Sequence, residues 1–166
     1  MMESPACRVY FKDGEKGWLE FLSISASLLI VLLLFFFRLG SYPLMNPDAG
    51  RNAQVALEMH DSSAWLVPTL NGHPYLDKPA FYFRMVASSI AIFGRNEAAV
   101  RLPSALFALG LCVLIYLFCR RTFGKWLATL AVVVFASIPL VFAFARIVIP
   151  DMLLAFFTTA SVLSAF

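Results

Sequence analysis

Three stretches of the chain contain no charged residue: Phe21–Phe37 between Glu20 and Arg38, Leu102–Cys119 between Arg101 and Arg120, and Trp126–Ala145 between Lys125 and Arg146. Each approaches the roughly 20 apolar residues that a helix needs to cross a hydrocarbon core about 30 Å thick. Met152–Phe166 begins a fourth such run with no closing polar flank, so the chain reads as the opening part of a longer protein. Helix is the form expected, because an open strand would leave backbone polar groups unsatisfied in lipid. The pattern therefore predicts an all-α integral membrane protein, a multi-span helical bundle. Its parts would be a tail at 1–17 and one membrane domain at 18–166, with spans near 21–37, 102–119, 126–145 and 152–166. A long loop, 38–101, separates the first two spans.

The first apolar run exceeds the usual length of a signal-peptide core, and its small residues Ser23–Ser27 precede the Leu/Phe stretch instead of following it. An uncleaved signal anchor fits better than a cleaved leader. The tail before it is polar, mixed in charge and expected to be poorly ordered. Arg8, Lys12 and Lys16 precede the first span, and Arg120, Arg121 and Lys125 fill the tight loop after the second. The positive-inside rule places both groups in the cytoplasm, so loop 38–101 and the short turn Arg146–Asp151 are exported. A site on that loop would then face the outside of the membrane.

Composition agrees with this class. Apolar residues make up 61 % of the chain and charged residues 14 %, against about 45–50 % and about 25 % in ordinary globular domains. The net charge is only +3 and the 13 Lys/Arg are dispersed, which argues against a nucleic-acid partner. The exported loop contains no cysteine, so it has no disulfide framework; Cys7 lies in the tail, and Cys112 and Cys119 lie in the second span.

The exported loop is too long to be structureless. Asp48 can cap a helix from about Ala49 to His60, with Ala53, Val55, Ala56 and Met59 on its apolar side and Arg51, Gln54 and Glu58 on its polar side. Asn71-Gly72 signals a turn, and Pro68, Pro74 and Pro79 punctuate the same stretch. The aromatic run Ala80–Phe93, interrupted by Arg84, is short for a span and predicts a helix at the outer interface. A true extra span there would invert everything downstream.

The ionisable groups near this interface carry the candidate chemistry. Asp48 and Asp151 lie at one membrane face under this topology, accompanied by Arg51, Lys78 and Arg146. Each acid has two readings, as a helix N-cap or as a general base. Cations beside a carboxylate suit a phosphorylated, amphiphilic ligand, whereas a solvated rim of ion pairs would have the same composition. His60 and His73 lack the spacing of a zinc site, and no Gly-rich phosphate loop or nucleophile elbow is present.

Four blocks resemble a known family: Asn46–Met59, Trp65–Gly72, Pro74–Pro79 and Asn96–Ser104. Their order and spacing are similar to the first exported loop of GT-C glycosyltransferases, in the branch containing the aminoarabinose transferase of lipid A and the protein O-mannosyltransferase-like enzymes. The resemblance implies a polyprenyl-phosphate-linked sugar donor, an acceptor hydroxyl on a lipid or protein, and transfer at the exported face. It assigns Asp48 as general base, Asp151 as a second functional acid, and Arg51, Lys78 and Arg146 to phosphate. Asp77 stands where relatives often carry Glu, a position that can hold a divalent metal; no other cofactor is implied. Two departures stand out: Ala49 replaces a second acid, and Asn52 replaces an aromatic. A non-catalytic membrane protein that binds lipid phosphate or a partner competes with this reading, and would tolerate substitution of Asp48, Asp151 and Lys78. A transporter would want ionisable residues in mid-span, and the three complete runs have none.

Overall fold

The computed structural model describes residues 5–44, 46–62 and 65–165. The first residues of the tail, 1–4, and Phe166 at the end of the fourth apolar run lie outside them, as do the side chains of Cys7, Arg8, Lys12 and Lys16. In chain order the elements are helix α1 (Pro5–Phe36), α2 (Pro47–Ser62), strands β1 (Thr69–Leu70) and β2 (His73–Pro74), then α3 (Ala80–Phe93), α4 (Glu97–Thr122), α5 (Lys125–Ser137), α6 (Pro139–Ala145) and α7 (Asp151–Ser164).

The first helix differs from its expected limits. It begins at Pro5, so the described part of the tail continues the apolar segment Ile24–Phe36 as one helix. Helix α4 starts where Asn96 accepts the Ala99 amide at 2.9 Å, and it ends with Arg120 and Arg121 in its last turn, where basic side chains favour the helix dipole. Pro103 lies inside α4 and has no amide hydrogen to offer the Ala99 carbonyl one turn earlier. Ser89 of α3 takes that carbonyl instead, its hydroxyl donating at 2.6 Å. The proline thus creates the acceptor that ties α3 to α4.

Among the described residues, α4 is the one helix long and apolar enough to cross a bilayer by itself. The uncharged run 126–145 was expected to form one span, but it divides into α5 and α6, bent by 71°. Pro139 causes the break: it forces Ile138 into extended backbone, with ψ at 123°, and offers no amide to the preceding turn. Helix α7 is shorter than a span within the described residues.

Two apolar cores form. One gathers Val31, Phe35, Leu111, Ala136 and Met152 where α1, α4, α5 and α7 meet. The other lies under α2 and α3, joining Ala49, Ala53, Val55, Ala56 and Met59 to Tyr82, Phe83 and Val86, with Val148 and Leu153 beneath. The apolar side expected for α2 is therefore the buried side, and α3 occupies the residues expected of it. Strands β1 and β2 form a two-residue hairpin whose turn, Asn71-Gly72, has positive φ at both positions (53° and 78°), the conformation that Asn-Gly favours.

Candidate functional site

The site is built where the start of α2, the loop before α3 and the turn before α7 converge. Asn46, not Asp48, caps α2: its side-chain oxygen accepts the Asp48 amide at 3.0 Å, its carbonyl accepts the Gly50 amide at 3.0 Å, and Pro47 fills the first helical position. The capping expected of Asp48 is thereby corrected. Its carboxylate is exposed in the first turn and faces Arg51 at 3.4 Å. Asp151 likewise opens α7 without capping it, since Pro150 is the cap residue and no side-chain hydrogen bond forms there. Both acids are left open to solvent.

The turn before α7 is held from three directions. Val148 lends its carbonyl to the Asn52 amide of α2 at 2.7 Å. The Ser104 hydroxyl of α4 donates to Ile149 O at 3.3 Å and meets the Tyr82 hydroxyl of α3 at 2.8 Å. Arg146 turns toward α1, donating to Leu34 O at 2.9 Å and to Arg38 O at 3.4 Å. Burial pushes the Tyr82 phenol above its ordinary pKa; the Ser104 bond opposes the shift, and the negative charge of Asp151 adds to it. The phenol therefore stays a neutral hydrogen-bonding partner of Ser104.

The cations divide by environment. Lys78 reaches Asn52, its ammonium donating to the side-chain oxygen at 3.4 Å. Arg51 is half exposed beside Asp48. Arg146 does not join them: its guanidinium serves the end of α1 and packs near the rings of Tyr42 and Phe142. It forms one wall of an open, largely apolar cavity of about 820 Å³ together with Leu33, Phe37, Arg38 and Tyr42.

Asp77 accepts the Tyr75 hydroxyl at 3.1 Å. Among the described residues no three His, Cys, Asp or Glu side chains gather as a metal centre would require, so Asp77 alone does not fit one. His73 is exposed on β2 and His60 sits near the end of α2. Cys112 and Cys119 are free thiols within α4.

Three residues that matter here escaped the sequence reading. Asn52 is fully buried and polar at both ends. Arg101, 1 % exposed, donates to Leu39 O at 2.9 Å and Tyr42 O at 2.8 Å, lies 4.3 Å from the Tyr42 ring centre, and meets Glu97 at 3.3 Å. Glu58 accepts the Asn71 and Gly72 amides at 2.8 and 3.3 Å, and also Gln54 and Thr69, fastening the hairpin to α2. A signal existed for Glu58, four residues after Gln54 and ahead of a turn with unmet amides. For Asn52 the signal was its place where relatives carry an aromatic, whereas Arg101 gave none, because hydropathy alone assigns such a side chain to the surface.

This architecture, a helical bundle bearing an α2–hairpin–α3 unit, is similar to that of ArnT. The crystal structure of ArnT from Cupriavidus metallidurans in the apo state superposes with a TM-score of 0.78 at 27 % identity, over 88 % of this chain and 26 % of that one. The same protein bound to undecaprenyl phosphate gives 0.77 at 27 % identity, over 86 % and 26 %. Residues 77–166 match the family described as dolichyl-phosphate-mannose-protein mannosyltransferase, and the chain belongs to that family. The undecaprenyl phosphate-alpha-4-amino-4-deoxy-L-arabinose arabinosyl transferase of Shewanella sediminis is 38 % identical over 113 residues, covering 68 % of this chain and 21 % of that protein. Its counterpart in Wigglesworthia glossinidia brevipalpis is 33 % identical over 135 residues, covering 81 % and 24 %. The chain thus spans about a quarter of the length of these relatives. The resemblance to this branch of glycosyltransferases holds.

Proposed function

We propose that this chain supplies part of an integral membrane glycosyltransferase that takes a sugar from a polyprenyl-phosphate donor and passes it to a hydroxyl acceptor on a lipid or protein. The observation that carries this reading is the release of Asp48 from capping. Asn46 satisfies the helix end, so the Asp48 carboxylate is free and solvent-facing, with Arg51 beside it and Lys78 ahead of α3. The superposition on a structure captured with undecaprenyl phosphate supports the donor class.

In the mechanism, Asp48 accepts the proton of the acceptor hydroxyl as its oxygen attacks the anomeric carbon. The bond from that carbon to the phosphate oxygen breaks, and the polyprenyl phosphate leaves with the bonding pair. Configuration inverts. Arg51 and Lys78 stabilise the phosphate charge, and no general acid is needed because phosphate is a competent leaving group. Asp151, set on its pinned turn, is the second functional acid. In the topology we propose, α1, α4, the bent α5–α6 pair and α7 cross or enter the bacterial inner membrane. The N-terminus is then cytoplasmic, and α2, the hairpin and α3 lie at the exported face. Ala49 is 3 % exposed within the α2–α3 core, so in this chain the position of the missing acid is a packing position.

The test is Asp48→Asn in the intact protein, reconstituted with an undecaprenyl-phosphate-linked aminosugar. Transfer should fall by about 100-fold or more, the scale of a lost general base. Membrane insertion should be unchanged. Full transfer by the variant would instead favour a non-catalytic role for this acid.

A further inference from the structure

Asn52 occupies a position that nothing in the proposed reaction yet uses. It lies one helical turn beyond Asp48, is 0 % exposed, and both ends of its amide are engaged. The amide nitrogen donates to Val148 O at 2.7 Å, and the amide oxygen receives the Lys78 ammonium at 3.4 Å. Chemistry fixes this orientation: the flipped amide would set NH₂ against an ammonium and oxygen against a carbonyl. One side chain thus joins the three segments that carry Asp48, Lys78 and Asp151.

We propose that Asn52 is a positioning residue that holds Lys78 for the phosphate of the lipid-linked donor; this rests on the reading of Lys78 given above. Lys78 lies in a stretch without regular structure, just before Pro79. Its ammonium makes no other hydrogen bond or ion pair among the described residues. A lysine side chain with four rotatable bonds would otherwise sample many positions, and ordering it only on binding would weaken affinity. An amide is suited to the task because it is neutral. It restrains the ammonium through one hydrogen bond and leaves the positive charge uncompensated for phosphate, whereas a carboxylate there would neutralise it.

The experiment measures binding of undecaprenyl phosphate to the intact protein in wild type, Asn52→Ala, Lys78→Met and the double variant, with thermal unfolding followed alongside. Asn52→Ala should weaken binding about tenfold. In the Lys78→Met background the same change should have almost no effect, because the group it positions is gone. An equal loss in both backgrounds would show that Asn52 acts only on structure and would overturn the proposal. If Lys78→Met weakens binding while Asn52→Ala does not, the proposal fails and the phosphate role of Lys78 survives. If Lys78→Met binds as wild type, both fail. Asn52→Asp keeps the side-chain volume but sets an oxygen against Val148 O, so it is measured in both backgrounds. It should weaken binding where Lys78 is present and hardly at all in Lys78→Met. An equal change in both, or wild-type affinity where Lys78 is present, would overturn the proposal.

Discussion

Two buried arginines show how single side chains fasten the end of α1 and the segment after it. Arg101 and Arg146 lie near the same ring, that of Tyr42, and between them take carbonyls from the end of α1 and the segment after it. Those carbonyls have no helical partner, and a fork of fixed donors serves several at once. Arg101→Ala would strand Leu39 O and Tyr42 O together. With hydrogen bonds to a charged group worth about 1.5–3 kcal/mol each, the loss should be about 3 kcal/mol or more, read from denaturant unfolding in detergent. Arg101→Lys should recover only part of it, since an ammonium lacks the planar fork. The sequence marked Arg101 and Arg146 as the ends of apolar runs, and a flanking arginine is ordinarily solvated. Their burial depends on carbonyls distant in sequence, 62 residues away for Leu39 and 112 for Leu34, which periodicity cannot register.

At the scale of elements, local signals were the readable ones. The Asn-Gly turn, the buried side of α2 and the limits of α3 follow from residue preference and spacing, because each is decided within a few residues. The α5–α6 bend was also written in the chain, at Pro139, and a count of uncharged residues passed over it. The hairpin depends on Glu58. Slight burial pushes the Glu58 carboxyl up, but the amides of Asn71 and Gly72, with Gln54 and Thr69, outweigh this and hold it below the ordinary glutamate value. A depressed folded-state pKa means that the contribution is complete above the unfolded value and is lost as pH falls through the folded one. Hydrogen exchange should therefore show the Asn71 and Gly72 amides losing protection in acid. Glu58→Gln should show reduced protection already at neutral pH and little further change on acidification.

For the whole molecule, charge placement makes a claim about sidedness that can be checked directly. His73 and Phe123 are both exposed, the latter 61 %, in the hairpin and in the turn between α4 and α5. In a background lacking Cys7, Cys112 and Cys119, His73→Cys should react with a membrane-impermeant maleimide in intact cells. Phe123→Cys should react only after permeabilisation. Reaction of Phe123→Cys from outside would mean that α3 crosses the membrane and that the topology downstream is inverted. The pinned turn before α7 has a further consequence, for biosynthesis. Its bond to Asn52 closes over 96 residues and that of Arg146 to Leu34 over 112, whereas the hairpin is tied to α2 across only 11 to 14. As the chain leaves the ribosome, the α2–hairpin unit can therefore assemble early. The two candidate acids acquire a fixed relation only after α4, α5 and α6 have been synthesised.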